Sequence, residues 1–258
     1  PIVLLHGGII DAAHLTWGAA IEPLAQNAQV YALDLLGYGR SDRPDRSYST
    51  AMHVETVADF IETVGLGTAH IVGASLGGGI GLGVALDHPD RVGRLVGVDS
   101  FGLGRALPRG LLTYLVAQVP VLNKLSLALL RRSRSLTETS LEALVADPDV
   151  ISGNLVDEVF EQLQDRGVGK PFRRWRRHEA TPRGYRTVYR DRLSALSVPT
   201  LLLHGADDDL FPVDWAETAA ESSPAVDLEV FEECGHWLPR ERPDACVAAI
   251  KRFIHGNG

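Results

Sequence analysis

The stretch that most constrains the fold is Ala69-His70-Ile71-Val72-Gly73-Ala74-Ser75-Leu76-Gly77-Gly78-Gly79, where a short β-branched run passes straight into Gly-x-Ser-x-Gly. A serine at the tip of so sharp a strand-to-helix turn occupies a strained backbone conformation, and the residues two positions to either side come too close for side chains. Gly73 and Gly77 remove those side chains. The same turn aims the first amides of the following helix, Leu76 N–H among them, at any oxygen that becomes negative beside Ser75. Ile80, Leu82, Val84, Ala85 and Leu86 continue the apolar run until His88-Pro89. The glycines between Gly77 and Gly83 cost this helix about 1 kcal/mol each against alanine. Close packing under a sheet would offset that cost, and a loose Gly-rich loop is the alternative.

Strands and helices alternate around this turn. Ile2-Val3-Leu4-Leu5 is a continuous apolar run ending in His6-Gly7-Gly8, as expected for a parallel strand covered on both faces. Gly8 or Ile9 in that loop could supply a second amide to an oxyanion, whereas His6 reads as a residue that ties the loop together. A short helix over Trp17 to Ala25 precedes a strand at Val30-Tyr31-Ala32-Leu33, and an amphipathic helix over 50–64 follows, with Val54, Val57, Ala58 and Ile61 on one face and Ser49 or Thr50 as its cap. Arg94 to Val98 forms the strand that delivers Asp99 and Ser100. Further strands are expected at Val198 to Leu203 and Val226 to Phe231, before a closing helix with Val247, Ile250 and Ile254 inward. The pattern predicts an α/β fold with a mostly parallel, doubly wound sheet and right-handed crossovers.

The alternation breaks between about Leu103 and Asp191. This region reads as helices over Leu111 to Val119, Leu122 to Leu130, Ser140 to Val145 and Asn154 to Leu163, so an α-helical cap over 103–191 is expected between core segments 1–102 and 192–258. Within it, the basic run Phe172 to His178 reads as a solvated face. The sharper alternative is that an arginine such as Arg174 or Arg177 reaches into the cleft and pairs with a substrate carboxylate.

The chain has 258 residues, 45% hydrophobic and 22% charged, enough for one substantial core. Its net charge of -8 argues against nucleic acid as a partner. The apolar stretch from Leu111 to Leu122 is broken by Gln118 and Pro120 and is too short to span a bilayer, so no membrane partner is expected. Cys234 and Cys246 form no metal-ligand cluster and are read as reduced packing residues, which points to a cytoplasmic protein. The sequence opens on proline followed by a buried-type strand, so further residues, such as an initial hairpin, are expected to precede it.

A serine hydroxyl needs a general base, and the base needs a carboxylate to hold its tautomer. Both occur after Ser75, in the order aspartate then histidine: an aspartate among Asp207, Asp208 and Asp209 in the loop after one strand, then His236 in the Gly-His loop after the last. The bland reading of His236 is a surface loop histidine. Five motifs in order make the chain similar to the α/β-hydrolase superfamily: His6-Gly7-Gly8, Asp34-Leu35-Leu36-Gly37-Tyr38-Gly39-Arg40-Ser41, Gly73-Ala74-Ser75-Leu76-Gly77-Gly78, Gly205-Ala206-Asp207-Asp208-Asp209-Leu210-Phe211-Pro212 and Gly235-His236.

The resemblance implies Ser75 as nucleophile, His236 as base and Asp208 as acid, with Asp99 as the reserve acid because some relatives carry it after the preceding strand. It implies an oxyanion hole from Leu76 with Gly8 or Ile9, no cofactor and no metal. Serine rather than aspartate at the elbow points away from dehalogenase and epoxide-hydrolase chemistry. The first expectation is hydrolysis of a small ester, lactone or related acyl compound. Cys234-Gly235-His236-Trp237, Tyr38-Gly39 and the Arg-bearing insertion also resemble hydrolases that cleave carbon–carbon bonds in ring-fission products, although those usually carry asparagine where Ala74 stands and a longer Gly-rich oxyanion loop. That alternative requires an inserted arginine facing Ser75, and Trp237 becomes a substrate contact. A receptor that keeps the hydrolase shell with little turnover is the rival of another class. The expected partner is a small molecule, with a homo-oligomer left open.

Overall fold

The computed structural model describes residues 1–165 and 167–256. Its main sheet has six strands: β1 (Ile2–Leu5), β2 (Val30–Leu33), β3 (Ala69–Ala74), β4 (Val92–Val98), β7 (Thr200–Gly205) and β8 (Val226–Phe231). Their order is β2-β1-β3-β4-β7-β8 and every pairing is parallel. A two-residue antiparallel ladder, β5 (Ala180–Thr181) with β6 (Gly184–Tyr185), stands apart in the segment between β4 and β7. That segment had been expected to hold helices alone.

Strand side chains alternate between two cores, as a period of two requires. Val3, Leu5, Ile71, Leu95 and Leu202 face one side, against α2 (Thr50–Thr63), α3 (Leu76–Asp87) and α9 (Asp214–Ser222). Ile2, Leu4, Val72, Val96 and Leu203 face the other, against α1 (Ala13–Ala25) and the closing helix α11 (Pro243–His255). With both faces covered, the central strands have no polar side to show, which explains their continuous apolar sequence. The helix at α1 starts four residues earlier than its apolar pattern suggests, because the carboxylate of Asp34 accepts the Ala13 amide at 2.9 Å.

The glycines of α3 are explained by close approach. A Cβ on Gly79 would lie 2.6 Å from the Phe101 ring, and one on Gly81 2.8 Å from Leu95. The helix therefore sits hard against the sheet, and the loose-loop alternative does not hold.

Between β4 and β7 lie α4 (Leu111–Gln118), α5 (Pro120–Leu130), α6 (Arg134–Glu142), α7 (Gly153–Gln164) and α8 (Lys170–Glu179). Helix α6 begins ahead of the expected Ser140, because the Ser133 hydroxyl accepts the Leu136 amide and caps it. The basic run is itself a helix, α8, with Trp175 and Glu179 buried. Glu179 accepts the backbone amide and hydroxyl of Thr50 and the amide of Thr187, and the Trp175 indole donates to the same Thr50 hydroxyl at 3.0 Å. These buried bonds fasten α8 to the start of α2. By contrast, α4 and α5 each bury a single side chain among the described residues, Ala117 and Leu127.

Candidate active site

The carboxyl ends of β1, β3, β4, β7 and β8 bring the chemistry-bearing residues to one edge, the place where parallel sheets bind ligands. Ser75 stands between β3 and α3 with φ 50° and ψ -114°, a left-handed strain that few non-glycine residues adopt. Its amide donates to the Val98 carbonyl at 2.8 Å, and its carbonyl accepts the amides of Gly79 and Phe101. The hydroxyl is thus left free of backbone duty and lies 3.0 Å from His236 Nε2.

His236 Nδ1 in turn lies 2.8 Å from Asp208 Oδ2. The second carboxylate oxygen of Asp208 accepts the Leu210 and Phe211 amides at 2.8 and 3.0 Å, which fixes its orientation. Burial works to lower the imidazole pKa, but the charge and hydrogen bond of Asp208 outweigh it, so the net position is above the ordinary histidine value. For Asp208, burial pushes upward and His236 with the backbone donors pulls the carboxyl below its usual range. The Phe211 ring meets His236 edge-on at 5.1 Å between centroids and limits its rotation.

Asp99 has a different job. It is buried, with φ 44°, and its oxygens accept the Gly205 amide at 2.9 Å and the Leu238 amide at 3.2 Å. It tethers the end of β7 to the segment after His236, while Asp208 holds the imidazole. Burial raises the Asp99 carboxyl well above its ordinary range. Asp99, His204 and Asp208 are the grouping of potential metal ligands among the described residues. All three are engaged elsewhere: His204 Nε2 donates to the Phe211 carbonyl at 2.7 Å, and both carboxylates receive the bonds given above. They tie β7 and the loop after it to the His236 segment.

His6 is structural, as expected: its Nδ1 donates to the Gly7 carbonyl and its Nε2 accepts the Leu35 amide. Gly8, Ile9 and Leu76 all border the cavity beside Ser75. A residue that sequence reasoning passed over, Asp11, shapes this loop. Its carboxylate accepts the Gly7 amide at 2.7 Å, the Ala12 amide at 2.8 Å and the Thr16 hydroxyl at 2.6 Å. The Gly7 amide is thereby occupied.

The cavity has a volume of about 390 Å³ and is walled mainly by apolar side chains from both the sheet end and the insertion. Trp237 borders it, its indole donating to Thr16. The expected arginines do not. Arg174 turns outward to the Asp45 carboxylate and the Arg46 carbonyl, and Arg177 is exposed. The reason is helical geometry: on α8 the cavity-facing residues are Phe172, Trp175 and Arg176, spaced i, i+3, i+4, which leaves positions 174 and 177 on other faces. Arg176 is the basic residue of this helix at the cavity wall, where burial lowers its pKa and Tyr185 opposes that.

Glu241, also passed over, is a buried carboxylate that accepts the amides of Ala146 and Asp147 from the insertion and of Gly235, next to His236. A carboxyl group so placed joins the histidine loop to the insertion. Its only sequence signal is a glutamate five residues beyond His236 in the short helix α10 (Leu238–Glu241).

A serine hydroxyl, an imidazole and a carboxylate in series, set where a parallel sheet ends and a helix begins, define a nucleophilic α/β enzyme architecture. The chain belongs to the α/β-hydrolase fold family, which matches residues 1–243. It is 30% identical over 259 residues to 2-hydroxymuconate semialdehyde hydrolase of Pseudomonas putida, covering 98% of this chain and 86% of that one. It is 29% identical over 262 residues to 2-hydroxy-6-oxo-6-(2'-aminophenyl)hexa-2,4-dienoic acid hydrolase of Metapseudomonas resinovorans, covering 98% and 83%. Among solved structures, the meta-cleavage product hydrolase of Pseudomonas fluorescens IP01 superposes with a TM-score of 0.83 at 25% identity, over 99% of this chain and 90% of that one.

Proposed function

We propose that this chain is a serine hydrolase that cleaves the carbon–carbon bond of a small vinylogous diketone acid. The observation that carries the reading is that Arg176 and Ser75 border one largely apolar cavity, so a carboxylate and a ketone of one elongated molecule can be held together. The relatives named as hydrolases of such acids support it. Ester cleavage, the first expectation, uses the same nucleophile but gives no role to the inserted arginine.

The chemistry follows from the residues. With the substrate in its keto form, Ser75 Oγ attacks the ketone carbonyl as His236 takes the hydroxyl proton, and the amides of Leu76 and of Gly8 or Ile9 hold the oxyanion. Each such donor is worth roughly 3 kcal/mol in a transition state. Collapse breaks the adjacent carbon–carbon bond. The departing electron pair spreads through the double bond onto the distal keto oxygen, beside the carboxylate that Arg176 holds, so the same cation that binds the acid also stabilises the leaving enolate. His236 returns its proton to the leaving fragment, then activates water to release the acyl group from Ser75. The net change adds one water across the broken bond.

The test compares two substrates. Arg176→Gln should raise KM for a dienol ring-fission acid, followed by bleaching of its conjugated absorbance, by about 10- to 100-fold, the value of a charge-assisted bond. Turnover of p-nitrophenyl acetate should stay near the parent value. Equal losses on both substrates, or an unsubstituted chain that turns over only the ester, would return the assignment to ester hydrolysis. Absence of turnover on either substrate with Ser75 intact would favour the receptor reading.

A further inference from the structure

Helices α4 and α5 expose apolar surface that a water-facing pair would not. Of the eleven large hydrophobic side chains exposed among the described residues, eight lie between Leu111 and Leu129, each 42–69% exposed. They repeat the same spacing on both helices, as at Leu111, Leu112 and Leu115 and again at Val121, Leu122 and Leu125. Ala117 and Leu127 point the other way and pack on the protein. Single exposed leucines are ordinary, but a concentration of this kind marks a surface that meets something apolar.

Charge says what. From Ser100 to Thr137 the chain has five arginines, one lysine and no aspartate or glutamate, while the molecule as a whole carries 33 acidic residues against 25 basic ones. Arg109 and Arg132, both exposed, flank the apolar stretch in sequence. We propose that the α4–α5 hairpin docks on the surface of a lipid bilayer with anionic headgroups, its aliphatic stripes entering the acyl boundary and the flanking arginines meeting phosphate. A second copy fits less well, since an isologous contact would set this cationic segment against itself.

No helix among the described residues is long and apolar enough to cross a membrane, so the contact is with the surface alone. The proposal replaces the expectation of no membrane partner drawn from the sequence. Position gives the contact a use: Pro108, Arg109, Thr113 and Leu130, from the same segment, border the cavity that holds Ser75. A bilayer under the hairpin lies at the rim of that cavity, where a substrate with an apolar tail partitions. This inference does not depend on which bond is cleaved.

Flotation with large unilamellar vesicles tests it, using the full 258-residue chain. The chain should float with vesicles of phosphatidylglycerol and phosphatidylcholine in equal parts, float less as salt is raised, and stay behind with phosphatidylcholine alone. Leu112→Ser, Val121→Ser and Leu125→Ser combined should lower the partition coefficient at least about tenfold, because apolar area drives insertion. None of these three side chains borders the cavity, so turnover of p-nitrophenyl acetate without lipid should be unchanged, which also shows that the variant folds. Flotation of the triple variant equal to the parent, or failure of the parent to float with either vesicle, overturns the proposal. So does sedimentation equilibrium that finds a parent dimer dissociated by the triple substitution.

Discussion

His236 carries two opposing influences, burial and Asp208, and the second prevails. In the proposed reaction the imidazole acts as general base and must be neutral, so the acid limb of kcat/KM is expected above the ordinary histidine range near 6.5. Asp208→Asn removes the group that raises it. The limb should move to lower pH while kcat falls by about 10⁴-fold. A limb that stays in place would assign that titration to another group. The stability sign agrees: the raised histidine contributes below its unfolded pKa and loses this as pH rises through the folded value, whereas the lowered aspartate contributes above its unfolded value and loses this as pH falls. Urea titrations of parent and variant across both windows check the pair. Two glycines supply a contrast at the same scale. A Cβ on Gly77 would collide with the Leu5 and His6 carbonyls, which are sheet backbone, while one on Gly8 meets the ring of Phe172, a side chain that can turn. Gly77→Ala should therefore cost about 3 kcal/mol or more in denaturant unfolding and Gly8→Ala about 1 kcal/mol or less.

Strands and the elbow were readable because each is a local pattern: a continuous apolar run, or glycines at fixed offsets from Ser75. The three joined side chains were readable as an ordered set of motifs, although only the folded sheet shows that Asp99 is spent on backbone amides. Helix α8 was harder. Its four arginines at 173, 174, 176 and 177 mask the apolar pair Phe172 and Trp175, and charge density suggested a solvated face where the i, i+3, i+4 spacing places Arg176 inward. Glu241 was illegible for another reason: its three amide partners come from positions 146, 147 and 235, and no local pattern signals such a convergence. Glu241→Gln keeps one acceptor oxygen for what two now satisfy. The expected loss is about 1–3 kcal/mol, the cost of a buried amide left unpaired, measured by denaturant midpoint.

Across the molecule, the central sheet strands are buried on both faces, whereas α4 and α5 each fully bury one side chain among the described residues. Local opening free energy follows burial, so amides in 111–130 should exchange with deuterium well before those of β3 and β4. Uniform protection would contradict this. The loss of strands after Leu103 is a local signal, but the attachment of the helices that follow could not be read, because it depends on Glu179 meeting Thr50 across 129 positions and on Glu241 meeting the Ala146 and Asp147 amides. Glu241 thus supplies a second fastening. Held at α8 by Thr50 and at positions 146 and 147 by Glu241, with leucines of α4 and α5 left facing outward, the roof over Ser75 has two fixed jambs and one bare margin.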